Sequence, residues 1–116
     1  MNIEDILTVD RTFCRIEASS RKRALEKISN CLAEDNRSFD SDILFQSLIA
    51  REKIGSTAIG HGIAIPHCRM KKCSQVLGGL FTLAEPIDFD SPDRSKINLL
   101  FVLIVYLVVQ VILLDL

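Results

Sequence analysis

At 116 residues, with 14 basic and 15 acidic side chains and a net charge of −1, the chain is one domain without the basic surplus that non-specific nucleic-acid binding needs. Apolar residues make up 48% and charged residues 25%, ordinary for a globular protein that buries roughly two-thirds of its unfolded surface. The acidic start Met1-Asn2-Ile3-Glu4-Asp5 is no signal peptide, and Cys14, Cys31, Cys68 and Cys73 form no CxxC pair, so they read as free thiols of a cytoplasmic protein.

Ile3 to Leu7 predicts a single helical turn. Thr12 to Ala18 alternates as a strand, with Phe13, Arg15 and Glu17 on one face and Cys14, Ile16 and Ala18 on the other. Ser19 and Ser20 offer cap hydroxyls for a helix from about Arg21 to Glu34, whose apolar stripe is Ala24, Leu25, Ile28, Cys31 and Leu32. Arg21, Lys22, Lys27 and Glu34 then fall on a solvated face.

Asp35 to Ser38 is a polar linker. Asp40 or Ser41 caps a second helix reaching about Arg51, with Ile43, Leu44, Leu48 and Ile49 as its buried stripe. Gly55 is placed as its left-handed terminator.

The stretch Gly55 to His67, GSTAIGHGIAIPH, organises the chain. Ile63 to Ile65 reads as a buried strand end; Pro66 fixes the backbone and delivers His67 at the rim of a sheet, beside the permissive Gly60 and Gly62. Arg69 to Ser74 is a basic turn. Gln75 to Leu83 is a strand flawed at Gly78-Gly79, a bulge signal, and Glu85-Pro86 breaks it. Asp88 to Arg94 is a loop, and Ile97 to Val105 a central strand. Strands interleaved with amphipathic helices give an α/β class with a mixed sheet flanked by helices.

The run Arg51-Glu52-Lys53-Ile54-Gly55-Ser56-Thr57, continuing through Gly62-Ile63-Ala64-Ile65-Pro66-His67, resembles the signature of the type 2 (fructose/mannitol/nitrogen) enzyme IIA domain of the bacterial phosphotransferase system. Glu85-Pro86-Ile87-Asp88-Phe89-Asp90 and Asn98 to Val105 also resemble that family, and the likeness covers about Ile3 to Val105. The opening Arg-Glu-Lys-x-Gly-Ser-Thr is closer to the nitrogen-regulatory branch than to the sugar branches.

The resemblance implies a phosphohistidine carrier without a cofactor. His67 would accept a phosphoryl group from an HPr-like phosphocarrier and pass it to an enzyme IIB or hold it toward a regulatory target. Arg51 is the matching family arginine and would stabilise phosphoryl charge; read without the family, it is a helix-end cation facing the dipole. Ser56 and Thr57 stand either as phosphate-binding hydroxyls or as turn and capping hydroxyls, and the N–H groups around Gly60 and Gly62 as further phosphate donors.

His61 stands where the family usually carries Asn, as a neutral loop substitution or a spare imidazole. His61, His67, Cys68 and Cys73 supply zinc-type ligands, but adjacent His67 and Cys68 strain a tetrahedral site and a metal would block the nucleophile, so no metal is expected.

The match ends at Val105. Residues 1–105 read as the enzyme IIA-like domain, lacking the C-terminal helical part and the second histidine that the family carries, and 106–116 as an apolar tail from a truncated or shifted reading frame. Leu99 to Leu114 is sixteen residues with only Gln110 polar, short of the ~20 that span a bilayer, so a buried strand with an extension is expected and no membrane partner. Self-association through this apolar edge is expected. The rivals are a catalytically dead binding module of the same fold, a membrane-tethered fragment and a sugar-specific enzyme IIA.

Overall fold

The computed structural model describes residues 2–35, 39–71 and 76–106. In chain order these form α1 (Ile3–Ile6), a 3-10 turn (Val9–Arg11), β1 (Thr12–Ile16), α2 (Arg21–Asp35), α3 (Ser41–Ile54), β2 (Ala58–Gly60), β3 (Ile63–Ala64), β4 (His67–Met70), β5 (Leu77–Ile87) and β6 (Ile97–Tyr106). Most of the linker at 36–38, residues 72–74 of the basic turn, the first residue of the strand expected after it (75) and the tail from 107 lie outside the described residues; Arg69 and Met70, expected in that turn, belong to β4.

The described strands make one mixed sheet in the order β1-β5-β6-β3-β2, with β4 also on β6. The apolar run predicted as a central strand is β6. It pairs antiparallel with β5 along one side, and parallel with β3 and then β4 along the other. Ile63 pairs with Leu99 and His67 with Leu103, so β3 and β4 follow one register along β6. Pro66 interrupts them without ending the edge: it has no N–H to give, but its carbonyl accepts from Leu103 N at 3.0 Å. His67 therefore opens a strand instead of hanging off the end of one.

The core lies between this sheet and helices α2 and α3. Leu25, Ile28 and Leu32 of α2 and Leu44 and Leu48 of α3 are buried with Phe81, Leu100, Val102 and Ile104. Ser20 Oγ accepts from Arg23 N at 3.2 Å at the head of α2. Asp40 caps α3 through Asp42 N and Ile43 N, at 2.9 and 3.1 Å.

The structure corrects several local expectations. Arg15 sits at φ 57°, and the pairing of β1 with β5 shifts between Phe13 and Ile16. That irregularity turns Phe13 and Ile16 to the same core, so strict alternation fails in β1. Gly78 and Gly79 are not a bulge, since both pair in register with Leu103 and Val102. They are there for space: a Cβ on Gly79 would stand 2.8 Å from Phe81 Cε1 and 3.0 Å from Leu32 Cδ2. Glu85-Pro86 does not end β5; Pro86 falls where the ladder to β6 shifts, between Thr82 and Ile87, and a missing N–H costs nothing there. Gly55 has φ 174°, extended and not left-handed.

Ile43 is 58% exposed, against the predicted burial. Helix α3 carries apolar or small residues on two faces: Leu44 and Leu48 point inward, while Ile43, Ser47, Ala50 and Ile54 recur at three- and four-residue steps along another. Periodicity alone finds both stripes and cannot rank them. Arg21 is not merely solvated: it is half-buried, 3.5 Å from Glu52 Oε2, 3.3 Å from Asp90 Oδ2 and 5.7 Å above the Phe89 ring.

Candidate functional site

His67 is half-buried at the start of β4, where α3 packs alongside. An open cavity of about 500 Å³ is lined by Ser47, Ala50, Arg51 and Ile54 of α3 and by His67, Cys68 and Arg69 of β4. The contacts fix the imidazole's state. Nδ1 lies 2.9 Å from the Ile65 carbonyl oxygen, which can only accept, so Nδ1 carries the proton. Nε2 accepts from Arg51 Nε at 3.2 Å, and an arginine only donates. The ring is the neutral tautomer with its lone pair on Nε2, facing the cation that would meet an incoming anion.

Arg51 serves both the end of its helix and the imidazole. Its Nη1 donates to the Gly55 carbonyl at 2.8 Å, closing the end of α3, while Nε reaches His67.

The other predicted phosphate donors lie outside the lining of this cavity. Ser56 Oγ donates to the Phe89 carbonyl and accepts from Ala58 N at 3.1 Å. Thr57 is buried; its hydroxyl donates to Glu52 Oε1 and its N–H to Glu52 Oε2 at 3.4 Å. Gly60, His61 and Gly62 form a run of positive φ (98°, 57° and 79°). The anion its N–H groups meet is the protein's own: His61 N donates to Asp93 Oδ2 at 2.8 Å, while Gly62 N donates to Ser95 Oγ at 3.2 Å. Hydrogen bonds from Ser95, His61 and Ser91 hold the Asp93 carboxyl far below the usual carboxylate range. Ser56, Thr57, Gly60, His61 and Gly62 do not line the cavity at His67.

Cys68 is buried beside His67, and Cys73, the fourth member of the zinc-type set, lies outside the described residues. Sequence reading missed Ser47, Ile54 and Arg69 as cavity residues. Arg69 was legible: it lies two residues beyond His67 on one strand, hence on the same side.

Residues 5–107 match the family model described as the phosphoenolpyruvate-dependent sugar phosphotransferase system, EIIA 2. The chain is 44% identical over 105 residues to a nitrogen regulatory protein of Pseudomonas aeruginosa, covering 90% of this chain and 68% of that protein. Nitrogen regulatory protein IIA-Ntr of Neisseria meningitidis superposes with a TM-score of 0.86 at 34% identity, over 97% of this chain and 77% of that one. The mannitol IIA of Escherichia coli shares the fold, with a TM-score of 0.73 at 19% identity, over 91% of this chain and 77% of that one.

Proposed function

The chain belongs to the EIIA type 2 family of the phosphotransferase system, and from that premise we propose that His67 is its phosphoryl acceptor, loaded by an HPr-like phosphocarrier in the nitrogen-regulatory branch. The observation that carries the reading is the pair of contacts on the ring: a proton held at Nδ1 by Ile65 and a lone pair at Nε2 beside Arg51.

The step balances simply. The Nε2 lone pair forms a bond to phosphorus as the donor's N–P bond breaks, and that bond's electron pair returns to the donor's ring nitrogen. Each ring keeps the proton on its other nitrogen. Transfer between two imidazoles is nearly balanced in energy, so the protein's task is positioning and charge stabilisation. Arg51 must release Nε2 and turn its guanidinium to the phosphoryl oxygens, a short movement for a side chain already at the ring. The proposed setting is the cytoplasm, with an enzyme IIB or a regulatory target as the next partner.

The test is intact mass after incubation with phosphoenolpyruvate, enzyme I and HPr, beside His67→Ala and a circular-dichroism check of folding. An acid-labile phosphoryl gain confined to the unsubstituted chain is expected. No gain in a folded chain refutes the carrier reading and leaves a module that acts by contact alone.

A further inference from the structure

The hydrogen bonds around His67 close into a ring that runs through residues outside the cavity. Glu52 is a buried carboxylate on α3, 7% exposed. It accepts from the hydroxyl of Thr57 and, at 3.4 Å, from its N–H. The Thr57 carbonyl accepts from Ile65 N at 3.0 Å. The Ile65 carbonyl accepts from His67 Nδ1 at 2.9 Å, and Nε2 accepts from Arg51 Nε at 3.2 Å. Arg51 is covalently joined to Glu52. Both ring nitrogens of His67 are thus held by groups anchored at one point of α3: Nε2 directly by Arg51, and Nδ1 through Ile65, Thr57 and Glu52.

We propose that Glu52 and Thr57 are positioning residues that set the tautomer and direction of His67. The proposal rests on the reading of His67 as the acceptor. Neither side chain touches the cavity, so neither meets the phosphoryl group. What they hold is the segment 57–65, and with it the height of the Ile65 carbonyl. If that carbonyl draws away from Nδ1, the proton has no fixed partner there, and the tautomer protonated at Nε2 gains share. That tautomer has no lone pair where the phosphoryl must bond. A carboxylate suits the task better than an amide because both its oxygens accept, matching two donors on one residue. Glu52 also pairs with Arg21, half-exposed at 3.5 Å, so its charge is not left alone in the core. Pro66, between Ile65 and His67, stiffens the backbone there, so a displacement of Ile65 passes to the histidine instead of being absorbed.

The experiment uses the full chain labelled with ¹⁵N-histidine, as Glu52→Gln, Thr57→Val and the conservative Thr57→Ser, with circular dichroism to establish folding. Long-range ¹H–¹⁵N correlation reads which nitrogen of each imidazole carries the proton, without any activity, and His67→Ala assigns the signals. The unsubstituted chain and Thr57→Ser are expected to show His67 protonated at Nδ1. Glu52→Gln and Thr57→Val are expected to show a mixture with Nε2–H, and a fall in kcat for phosphorylation by phospho-HPr of about tenfold, with KM unchanged. A folded Glu52→Gln and Thr57→Val with the tautomer and kcat of the parent overturn the proposal. A parent chain that is not phosphorylated overturns the acceptor reading instead, while the tautomer shift still decides whether Glu52 and Thr57 orient the ring.

Discussion

Substitution of Gly79 by alanine tests the packing that places α2 on the sheet. A Cβ there would lie 2.8 Å from Phe81 Cε1 and 3.0 Å from Leu32 Cδ2. Carbon atoms sit comfortably at about 3.5–4.0 Å, so the Phe81 ring must retreat by roughly 0.7 Å. It has little room: Phe81 is fully buried and stacked on Phe13 at 5.0 Å with the planes 10° apart. Leu32 is 2% exposed. Overpacking of this kind costs about 1–3 kcal/mol. Relief of the unfolded-state entropy of glycine returns roughly 0.4–1 kcal/mol, leaving a net loss of about 1–2 kcal/mol. In urea, with a slope near 1–2 kcal/mol per molar for this size, the midpoint should fall by about 1 M. Gly78→Ala is the internal comparison, because its Cβ would meet Ile6 O at 3.1 Å and Phe101 Cζ at 3.3 Å, and the short α1 can give way. The expected order is Gly79→Ala less stable than Gly78→Ala. A Gly79→Ala protein as stable as its parent would refute the claim that this glycine exists to admit Leu32 and Phe81.

Arg51→Ala should lower phosphorylation of His67 by about 10²-fold, and Arg51→Lys should recover only part of it, since lysine cannot serve Gly55 and the imidazole together; equal rates for lysine and arginine count against the geometry. Asp93 contributes stability through a depressed carboxyl, fully present above its ordinary value of 3.8 and lost as pH falls below it. The urea-midpoint gap between parent and Asp93→Asn should therefore be wide at pH 7 and shrink by pH 3, and a constant gap would contradict this. Burial, aided by Glu34, pushes the Cys31 thiol up, whereas Cys14 is exposed. Iodoacetamide at pH 8 should label Cys14 well before Cys31, read by peptide mass; equal rates would sink that assignment.

The fold was legible because its signals are local and redundant. The stripes of α2, the cap at Asp40 and the apolar run of β6 each state themselves within a few residues. The corrections arise where two elements far apart in sequence decide the outcome. Gly79 looked like a flaw in a strand because nothing near it announces Leu32, which arrives from α2. Ile43 looked buried because α3 carries a second apolar stripe, and only the assembled sheet chooses between them. At the candidate site, His67 and Arg51 were singled out from one contiguous run, and the structure brings them to 3.2 Å. The partner of the glycine turn was not legible, for a physical reason. A run of positive φ presents N–H groups to an anion whether the anion is a bound phosphate or the side chain of Asp93, 32 residues further on. Thr57 stood open between two readings, since a hydroxyl's partner is invisible until Glu52 is seen beneath it.

These commitments narrow what can hold a phosphoryl group at His67. With Ser56, Thr57 and Gly62 bonded elsewhere and Gly60 outside the cavity lining, the charged donors that line the cavity among the described residues are Arg51 and Arg69, with the hydroxyl of Ser47 beside them. On the proposed reading, a dianionic phosphoryl on His67 would meet two cations at an open surface, stabilised without being enclosed, the balance that a carrier needs. Deep burial among many donors would hold the group too well to release, while a lone imidazole in water would lose it to hydrolysis. On the proposed reading, the exposed Ile54, at 83%, then has a place beside the histidine. An apolar surface next to a charged one excludes water when a partner closes over it, and the phosphoryl crosses between two rings with the protein surfaces as its only solvent.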